Sequence, residues 1–229
     1  MDYAFSRTEM LIGKEGMDRL KGSRAAVFGI GGVGSYAVEA LARCGIGSLV
    51  LVDADDVEIT NINRQIHATT ETLGRPKVEV MKERILDINP EAEVITYKQF
   101  YDEAHASQLI KQSYTYIIDA IDTISSKISL ITQAHKQGIR IISCMGMGNK
   151  LDPSRIVVDD IYKTSICPLA KVVRKELRKR GIESLKVVYS KEEPLKPKVK
   201  EIRSPGSISF VPSVAGLIMA GVVVQDIIN

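Results

Sequence analysis

A glycine-rich segment near the N-terminus constrains the fold more than any other feature of this chain. Residues 29–34 read Gly-Ile-Gly-Gly-Val-Gly, a GxGxxG pattern, between a short apolar run at 24–28 and a segment with helical spacing at 33–44. A second apolar run, 48–52, follows and ends at Asp53. The order strand, glycine turn, helix, strand predicts a βαβ unit and therefore a parallel sheet.

The glycine pattern also has a chemical meaning, because glycine lets a backbone turn tightly and approach phosphate oxygens at a helix N-terminus. Asp53 ends the next predicted strand, where a carboxylate can accept hydrogen bonds from ribose hydroxyls. The pattern therefore favours an adenine nucleotide over a turn needed only for packing. No GxxxxGK[ST] motif occurs, which excludes a Walker-type ATPase, whereas a nicotinamide dehydrogenase stays open at this point.

The rest of the chain alternates strands and helices, which predicts a doubly wound, Rossmann-like α/β fold with a mostly parallel sheet. No boundary for a second domain is visible, so residues 1–229 are expected to form one domain. Further helices are predicted at 1–20, 77–89, 104–112, 125–137 and 168–180, and further strands at 93–97, 116–119, 139–144, 156–159 and 185–190.

Composition and the N-terminal segment restrict the class of protein and its cellular compartment. Hydrophobic residues make up 45% and charged residues 26%, which excludes a disordered chain, a collagen-like fibre and a coiled coil. Three cysteines without a CxxC pair argue against a disulfide framework or a structural zinc site. The N-terminus lacks the apolar core of a signal peptide, so a reducing cytoplasmic location is expected.

The longest apolar run, 214–224, has eleven residues, too few for a helix that spans a bilayer. A buried helix is therefore expected here, with a weak membrane-surface contact as the alternative. No integral membrane span is predicted.

Charge is unevenly distributed, although the net charge is only +3. Residues 171–203 carry twelve Lys or Arg against five Glu. Within 171–207 we expect a basic helix followed by a mobile loop rich in Pro and Lys at 192–207. This region either contacts a polyanion or is an ordinary solvated face.

Polar residues typical of phosphate chemistry follow the second predicted strand. Residues 53–65 read Asp-Ala-Asp-Asp-Val-Glu-Ile-Thr-Asn-Ile-Asn-Arg-Gln, and Gly-Arg-Pro-Lys stands at 74–77. An enzyme that cleaves ATP between the α- and β-phosphates needs Arg and Lys to neutralise pyrophosphate. It also needs a carboxylate for Mg²⁺ and small amides to orient the nucleotide. A dehydrogenase needs none of these, so the segment favours an ATP-dependent enzyme.

Residues 29–34, Asp53-x-Asp55, Asn61-x-x-Arg64-Gln65, Lys77 and Asp119-Ala120-Ile121-Asp122 resemble the adenylation domain of the ubiquitin-activating E1 superfamily, which includes the ThiF and MoeB enzymes. The resemblance covers about residues 5–150 and implies ATP and Mg²⁺ as cofactors and a homodimer. It also implies a role for each residue. By this resemblance, Gly29, Gly31, Gly32 and Gly34 form a phosphate loop, Asp53 binds the ribose, and Asp55 and Asn61 contact the nucleotide. Likewise, Arg64 and Lys77 contact the phosphates, Asp122 binds Mg²⁺, and Arg7 reaches across the dimer to the ATP bound by the partner subunit.

Each implied role has a simpler alternative. Arg64 could form a surface salt bridge, Asp122 could cap the helix before Ser125, and Arg7 could be an unspecialised surface residue. A nicotinamide oxidoreductase and a non-catalytic RNA-binding module with a vestigial nucleotide fold are rival readings of the whole chain. The presence of Arg64, Lys77 and Asp122 argues against the second rival.

The C-terminal third indicates the branch of the superfamily. The missing CxxC pairs weaken assignment to the activators of sulfur carriers, which stay the alternative. Residues 163–171 and 206–216 instead resemble the tRNA threonylcarbamoyladenosine dehydratase family. That resemblance implies ATP-dependent cyclisation of N6-threonylcarbamoyladenosine (t6A) beside the anticodon of tRNA, through an acyl-adenylate. It also leaves open a monovalent cation and a sulfur-relay partner.

With a tRNA substrate, the basic helix becomes the expected contact with RNA phosphates. The candidates are Arg174, Lys175, Arg178, Lys179 and Arg180. Cys167, before Pro168 at the start of that helix, could be a nucleophile, but an incidental thiol is the favoured interpretation because the cyclisation needs none. Cys44 and Cys144 are expected in the core. Glycines in the segment 145–148 either admit a substrate or form a plain turn.

Overall fold

The computed structural model describes residues 3–196, 198 and 205–229. Seven strands form one sheet: β1 Arg24–Phe28, β2 Ser48–Val52, β3 Glu93–Tyr97, β4 Tyr116–Asp119, β5 Ile141–Cys144, β6 Ile156–Asp160 and β7 Lys186–Ser190. Their order is β3-β2-β1-β4-β5-β7-β6. All neighbours are parallel except β6 and β7, which are antiparallel. The predicted doubly wound, mostly parallel α/β fold is confirmed.

The helices lie close to the predicted positions, within a few residues at most ends. They are α1 Ser6–Lys21, α2 Gly34–Arg43, α3 Lys77–Ile88, α4 Ala106–Leu109, α5 Ile124–Lys136, α6 Pro168–Lys179 and α7 Phe210–Ile228. In α1, Gly13 has a φ of 70° and breaks the helix into two parts. The helix predicted at 104–112 is wrong in length, because the chain turns to an extended conformation at Ile110 and buries that side chain next to Leu109.

The predicted loop at 192–207 lies partly outside the described residues, which omit 197 and 199–204. Its described residues form neither helix nor strand. The predicted mobility of this loop therefore stays a prediction.

The apolar C-terminal run forms α7, which packs mainly against α2. A Cβ atom on Gly216 would lie 2.2 Å from the carbonyl oxygen of Val33, so the two helices approach closely only because residue 216 is glycine. The predicted burial is confirmed, and the helix extends beyond the eleven-residue apolar run at both ends. α7 has 19 residues, and its most apolar 18-residue window has a mean hydropathy of 1.9, so the helix is long and apolar enough to cross a bilayer. However, 56% of that window is buried inside the protein.

The register of the central strands places the candidate site. Phe28 of β1 lies beside Val52 of β2 on one side and beside Asp119 of β4 on the other. Because all three strands are parallel, the residues that follow them meet at one edge of the sheet. One face of the sheet packs against α1, α2, α3 and α7 and the other against α4, α5 and α6, so packed helices support this edge on both sides.

Candidate nucleotide-binding site

The glycine loop connects β1 to α2 and has two kinds of glycine. Gly29 has a φ of 87°, and a Cβ atom there would lie 2.7 Å from the carbonyl oxygen of Ala120. A Cβ atom on Gly34 would lie 1.8 Å from the carbonyl oxygen of Gly29. Gly31, in contrast, would meet only the Gln65 amide, at 3.9 Å. The ends of the loop therefore need glycine for close packing, and its middle leaves the backbone open to a cavity.

That cavity, of about 580 Å³, lies at the carboxyl edge of the sheet. It brings together the predicted nucleotide-site residues with the exception of Gly34, which is behind the loop. These lining residues are Gly29, Gly31, Gly32, Asp53, Asp55, Asn61, Arg64, Lys77 and Asp122.

Asp53 braces the loop against the end of β2. Its Oδ2 atom accepts a hydrogen bond from the Ile30 amide at 2.6 Å, and its Oδ1 atom accepts one from the Asp55 amide at 2.8 Å. Burial raises the pKa of this carboxyl group, and the Lys77 ammonium and the two amides oppose that shift. The carboxylate thus connects the residues that follow β1 with those that follow β2. In a doubly wound nucleotide site, the ribose lies at this position.

Lys77, the first residue of α3, points its ammonium group into the site. Its side chain is 6% exposed, and Nζ lies 2.7 Å from Oδ2 of Asp55, whose side chain is 68% exposed. A buried ammonium requires an anion beside it. A bound phosphate would add a second anion next to this buried charge.

Arg64 follows a short 3₁₀ helix, Ile59–Asn61, whose geometry Asn61 helps to fix by accepting a hydrogen bond from the Glu58 amide at 3.1 Å. Arg64 donates from Nη1 to the carbonyl oxygen of Thr60 at 2.8 Å. In the described part of the chain, its Nε and Nη2 atoms have no hydrogen-bond partner. Those atoms can donate to a phosphate group at the cavity rim.

Asp122 lies after β4 at the opposite wall. It is exposed, and its carboxylate accepts only a long hydrogen bond, of 3.4 Å, from the Thr123 hydroxyl within the described residues. The described residues include no cluster of three or more His, Cys, Asp or Glu arranged for a metal. One carboxylate nevertheless fits Mg²⁺ in this class of site, because the ion takes its other ligands from water and nucleotide phosphates.

A buried charged network, which the sequence interpretation missed, supports this wall. Lys127 and Asp119 are both fully buried, with Nζ 2.8 Å from Oδ2. Ser143 donates to the same oxygen at 2.5 Å, and Oδ1 of Asp119 accepts from the Ile121 amide at 3.1 Å. The network thereby fixes the turn that leads to Asp122. An Asp at the end of a buried strand was the available signal, but its side-chain partners lie on other elements: Lys127 on α5 and Ser143 on β5.

The far wall of the cavity was also largely missed. It includes Gln65, Phe100, Tyr101, Leu169, Pro205, Pro212 and the residues of segment 144–148. Gln65 is 5% exposed, and its Oε1 atom has no partner in the described chain. The motif Arg64-Gln65 was recognised in the sequence, but no role was given to the glutamine.

The three cysteines are buried or partly buried. Cys144 is buried at the end of β5, and burial raises the pKa of its thiol to about 12, so the thiol stays protonated near neutral pH. Cys167 is also buried and packs in the cluster under α6. Cys44 is partly buried and packs against the main core.

Arg7 and the basic helix lie outside the cavity. Arg7 is exposed in the first turn of α1. Four of the five predicted RNA-contacting residues have partners within the protein: Arg174 donates to Thr164, Arg178 stacks on Tyr162, and Lys179 and Arg180 pair with Glu176. Lys175 is exposed on the same helix.

The fold and the site define a nucleotide-binding protein of the doubly wound α/β class. The comparison with protein families is more specific: the ThiF family model matches residues 5–229, so the chain belongs to the ThiF family.

Two relatives lie near this chain within the family. The tRNA threonylcarbamoyladenosine dehydratase of Bacillus subtilis (strain 168) is 50% identical over 100% of this chain and 96% of its own length. Crystal structures of E. coli tRNA N6-threonylcarbamoyladenosine dehydratase, TcdA, in complex with AMP and with ATP are 35% identical, with TM-scores of 0.92 and 0.91. Both alignments cover 97% of this chain and 93% of the E. coli chain.

Proposed function

We propose that this chain is an ATP-dependent tRNA threonylcarbamoyladenosine dehydratase, which converts t6A in tRNA into its cyclic form. The observation that carries the proposal is the cavity, which gathers Arg64, Lys77 and Asp122 around an open glycine loop. The chain is also similar over its whole length to dehydratases, one of which binds ATP and AMP in crystals. The alternative, activation of a ubiquitin-like sulfur carrier, is not favoured.

The reaction consists of two substitutions. The carboxylate of the threonylcarbamoyl group attacks the α-phosphorus of ATP, which forms an acyl-adenylate and releases pyrophosphate. The urea group of the same modification then attacks the activated carbonyl and expels AMP, so that t6A loses one water overall. Because the second nucleophile is tethered to the first, its effective molarity is high and no covalent enzyme intermediate is required.

The cavity residues divide this work by position. The glycine loop and the N-terminus of α2 bind the phosphates, and Asp53 and Asn61 orient the nucleoside. Arg64 and Lys77 neutralise the charge that builds up on pyrophosphate as it leaves. Asp122 would hold Mg²⁺, which supplies further neutralisation of the phosphate oxygens when it is bound.

Several further features belong to this proposal. The chain acts as one domain in the cytoplasm and as a homodimer, in which Arg7 reaches the partner's nucleotide. The substrate is the anticodon loop of a tRNA that carries t6A. The exposed basic residues of α6 contact its phosphates, and Lys175 is the clearest candidate because, unlike the other exposed candidates, it has no side-chain partner among the described residues. A monovalent cation and a sulfur-relay partner stay predictions.

The decisive test uses purified protein, ATP, Mg²⁺ and tRNA that contains t6A, followed by digestion and mass spectrometry of the nucleosides. We expect t6A to lose one water only when ATP is present. Asp122→Ala should abolish the reaction, whereas Asp18→Ala, an exposed control on α1, should not change it. Unchanged t6A, with ATP–pyrophosphate exchange only after addition of a carrier protein, would support the sulfur-carrier alternative instead.

A further inference from the structure

Asn63 lies between Arg64, the candidate phosphate-binding arginine, and the segment that precedes α7. Its Oδ1 atom accepts a hydrogen bond from Nη1 of Arg64 at 3.0 Å. Its Nδ2 atom donates to the carbonyl oxygen of Ser207 at 3.0 Å. One exposed amide thus connects two parts of the cavity that are far apart in sequence.

Arg64 depends on this support because little else orients its guanidinium group. Its aliphatic chain lies over Gly32, where a Cβ atom would be 3.3 Å from Cγ of Arg64 and 3.3 Å from Cβ of Pro212. Beyond that packing, the hydrogen bonds of the guanidinium group within the described chain go to Thr60 and Asn63 alone. Loss of the Asn63 bond would leave the group with one restraint from the Thr60 carbonyl.

The Ser207 end of the connection is itself held by Asn149. The backbone N–H of Asn149 donates to the carbonyl oxygen of Gly206 at 2.7 Å. The side-chain oxygen Oδ1 of Asn149 accepts from the backbone N–H of Gly206, also at 2.7 Å. The Leu195 amide donates to the carbonyl oxygen of Asn149, also at 2.7 Å. We call these three hydrogen bonds the Asn149 clasp. Asn149 has a φ of 58°, a conformation that asparagine tolerates better than most residues.

We propose that Asn63 is a positioning residue, which sets the guanidinium group of Arg64 over the ATP phosphates and ties that position to the segment held by the Asn149 clasp. The inference rests on the proposed function for the role of Arg64. Ser207 and Pro205 line the same cavity as Arg64, so an acyl substrate that enters there contacts the segment to which Asn63 is bonded. The position of Arg64 therefore responds to that segment as well as to the nucleotide.

Three substitutions separate the two ends of the connection. Asn63→Ala removes both hydrogen bonds. Asn63→Asp keeps an acceptor for Arg64 but cannot donate to Ser207. Asn149→Gly removes the side-chain hydrogen bond of the clasp and leaves both hydrogen bonds of Arg64 in place. Glycine also adopts the positive φ of this position without strain. Thr70→Ala is the control, because Thr70 is exposed on the same connection between β2 and α3 and has no side-chain hydrogen bond in the described chain.

The first readout is the ratio of ATP affinity to AMP affinity, measured by equilibrium binding without tRNA. Arg64 contacts the phosphates that AMP lacks, so Asn63→Ala should reduce this ratio about threefold or more and leave AMP affinity unchanged. A purely structural role would move both affinities together. Asn63→Asp should restore the ratio, because a carboxylate still holds the guanidinium group. An unchanged ratio in Asn63→Ala would overturn the positioning role.

The second readout is the single-turnover rate of pyrophosphate release with t6A-containing tRNA. Asn63→Ala should slow this step about tenfold or more, since small misplacements of a catalytic group cost rate. Because Asn63 connects Arg64 to the segment held by the Asn149 clasp, Asn63→Asp and Asn149→Gly should also slow pyrophosphate release. Their melting temperatures should stay near that of Thr70→Ala. Wild-type rates in both variants would overturn the tie. A wild-type protein that binds ATP but does not cyclise t6A would refute the proposed function, and the binding ratio would still decide the role of Asn63.

Discussion

Removal of the buried ammonium of Lys127 should be one of the most destabilising single substitutions in this protein. Lys127→Met leaves the carboxylate of Asp119 without its cation, at a position where both side chains are fully buried. Ser143 and the Ile121 amide still donate to that carboxylate, but neither carries charge. Breaking a buried ion pair from one side costs about 3–5 kcal/mol, a large share of the roughly 5–15 kcal/mol that stabilises a domain.

The double substitution Asp119→Asn with Lys127→Met tests the cause of this loss. The asparagine keeps an oxygen for the Ile121 amide and carries no charge, so the pair of changes should cost less than Lys127→Met alone. With Asp119→Asn alone, these variants complete a double-mutant cycle, from which we expect a coupling free energy of about 2 kcal/mol or more between the two sites, within the range known for residues in one network. Lys21→Met serves as the matched control, because Lys21 pairs with Glu91 at 3.2 Å but both side chains are more than 70% exposed. It should cost less than about 1 kcal/mol.

Urea unfolding followed by far-ultraviolet circular dichroism measures these free energies, since the chain has no tryptophan to report on unfolding. A cost for Lys127→Met close to that of Lys21→Met would refute the reasoning. So would a double variant that is no more stable than Lys127→Met. Either result would mean that the buried carboxylate tolerates the loss of its cation, for example by taking up a proton.

Two further predictions concern packing and pH. Gly34→Ala should lower the free energy of unfolding by about 3 kcal/mol in urea titrations, because its Cβ would lie 1.8 Å from a carbonyl oxygen. Gly221→Ala, in α7 with open space around it, should instead stabilise the protein by about 0.5–1 kcal/mol. An equal effect of both would contradict the packing argument. His67 is buried, and burial together with the charges of Lys77 and Arg84 lowers its pKa to about 4. The unfolded state, with a pKa of 6.5, binds the proton first, so stability is complete above pH 6.5 and falls as the pH decreases towards 4. Between pH 7 and pH 5 the loss should be about 2 kcal/mol, and His67→Gln should lack this part of the pH dependence.

The elements of the fold could be predicted well because their signals are local. The strands Ser48–Val52 and Glu93–Tyr97 have the predicted bounds. The first is a short apolar run between Gly47 and Asp53, and the second is a short run rich in β-branched and aromatic residues. The prediction for 104–112 was wrong because its helical spacing competed with tertiary packing, which takes Ile110 into the core in an extended conformation. Helix α7 is longer than the apolar run at 214–224. The polar residues on either side of that run, Ser213 and Gln225, interrupt the apolar pattern without ending the helix.

The nucleotide side of the cavity could be predicted for a similar reason, since the ends of adjacent parallel strands meet wherever the strands pair. The sequence placed Asp53 there by its position after the second strand, and Asp122 by the resemblance of Asp119-Ala120-Ile121-Asp122 to the E1 superfamily; both line the cavity. The supports of those residues could not be predicted in this way. Lys127 reaches Asp119 across a helix–strand contact, and Asn63 reaches Ser207 across 144 residues of chain. A hydrogen bond from a side chain to another element of the fold depends on a side-chain orientation that no local pattern encodes. In this protein such bonds hold both the turn before Asp122 and the guanidinium group of Arg64.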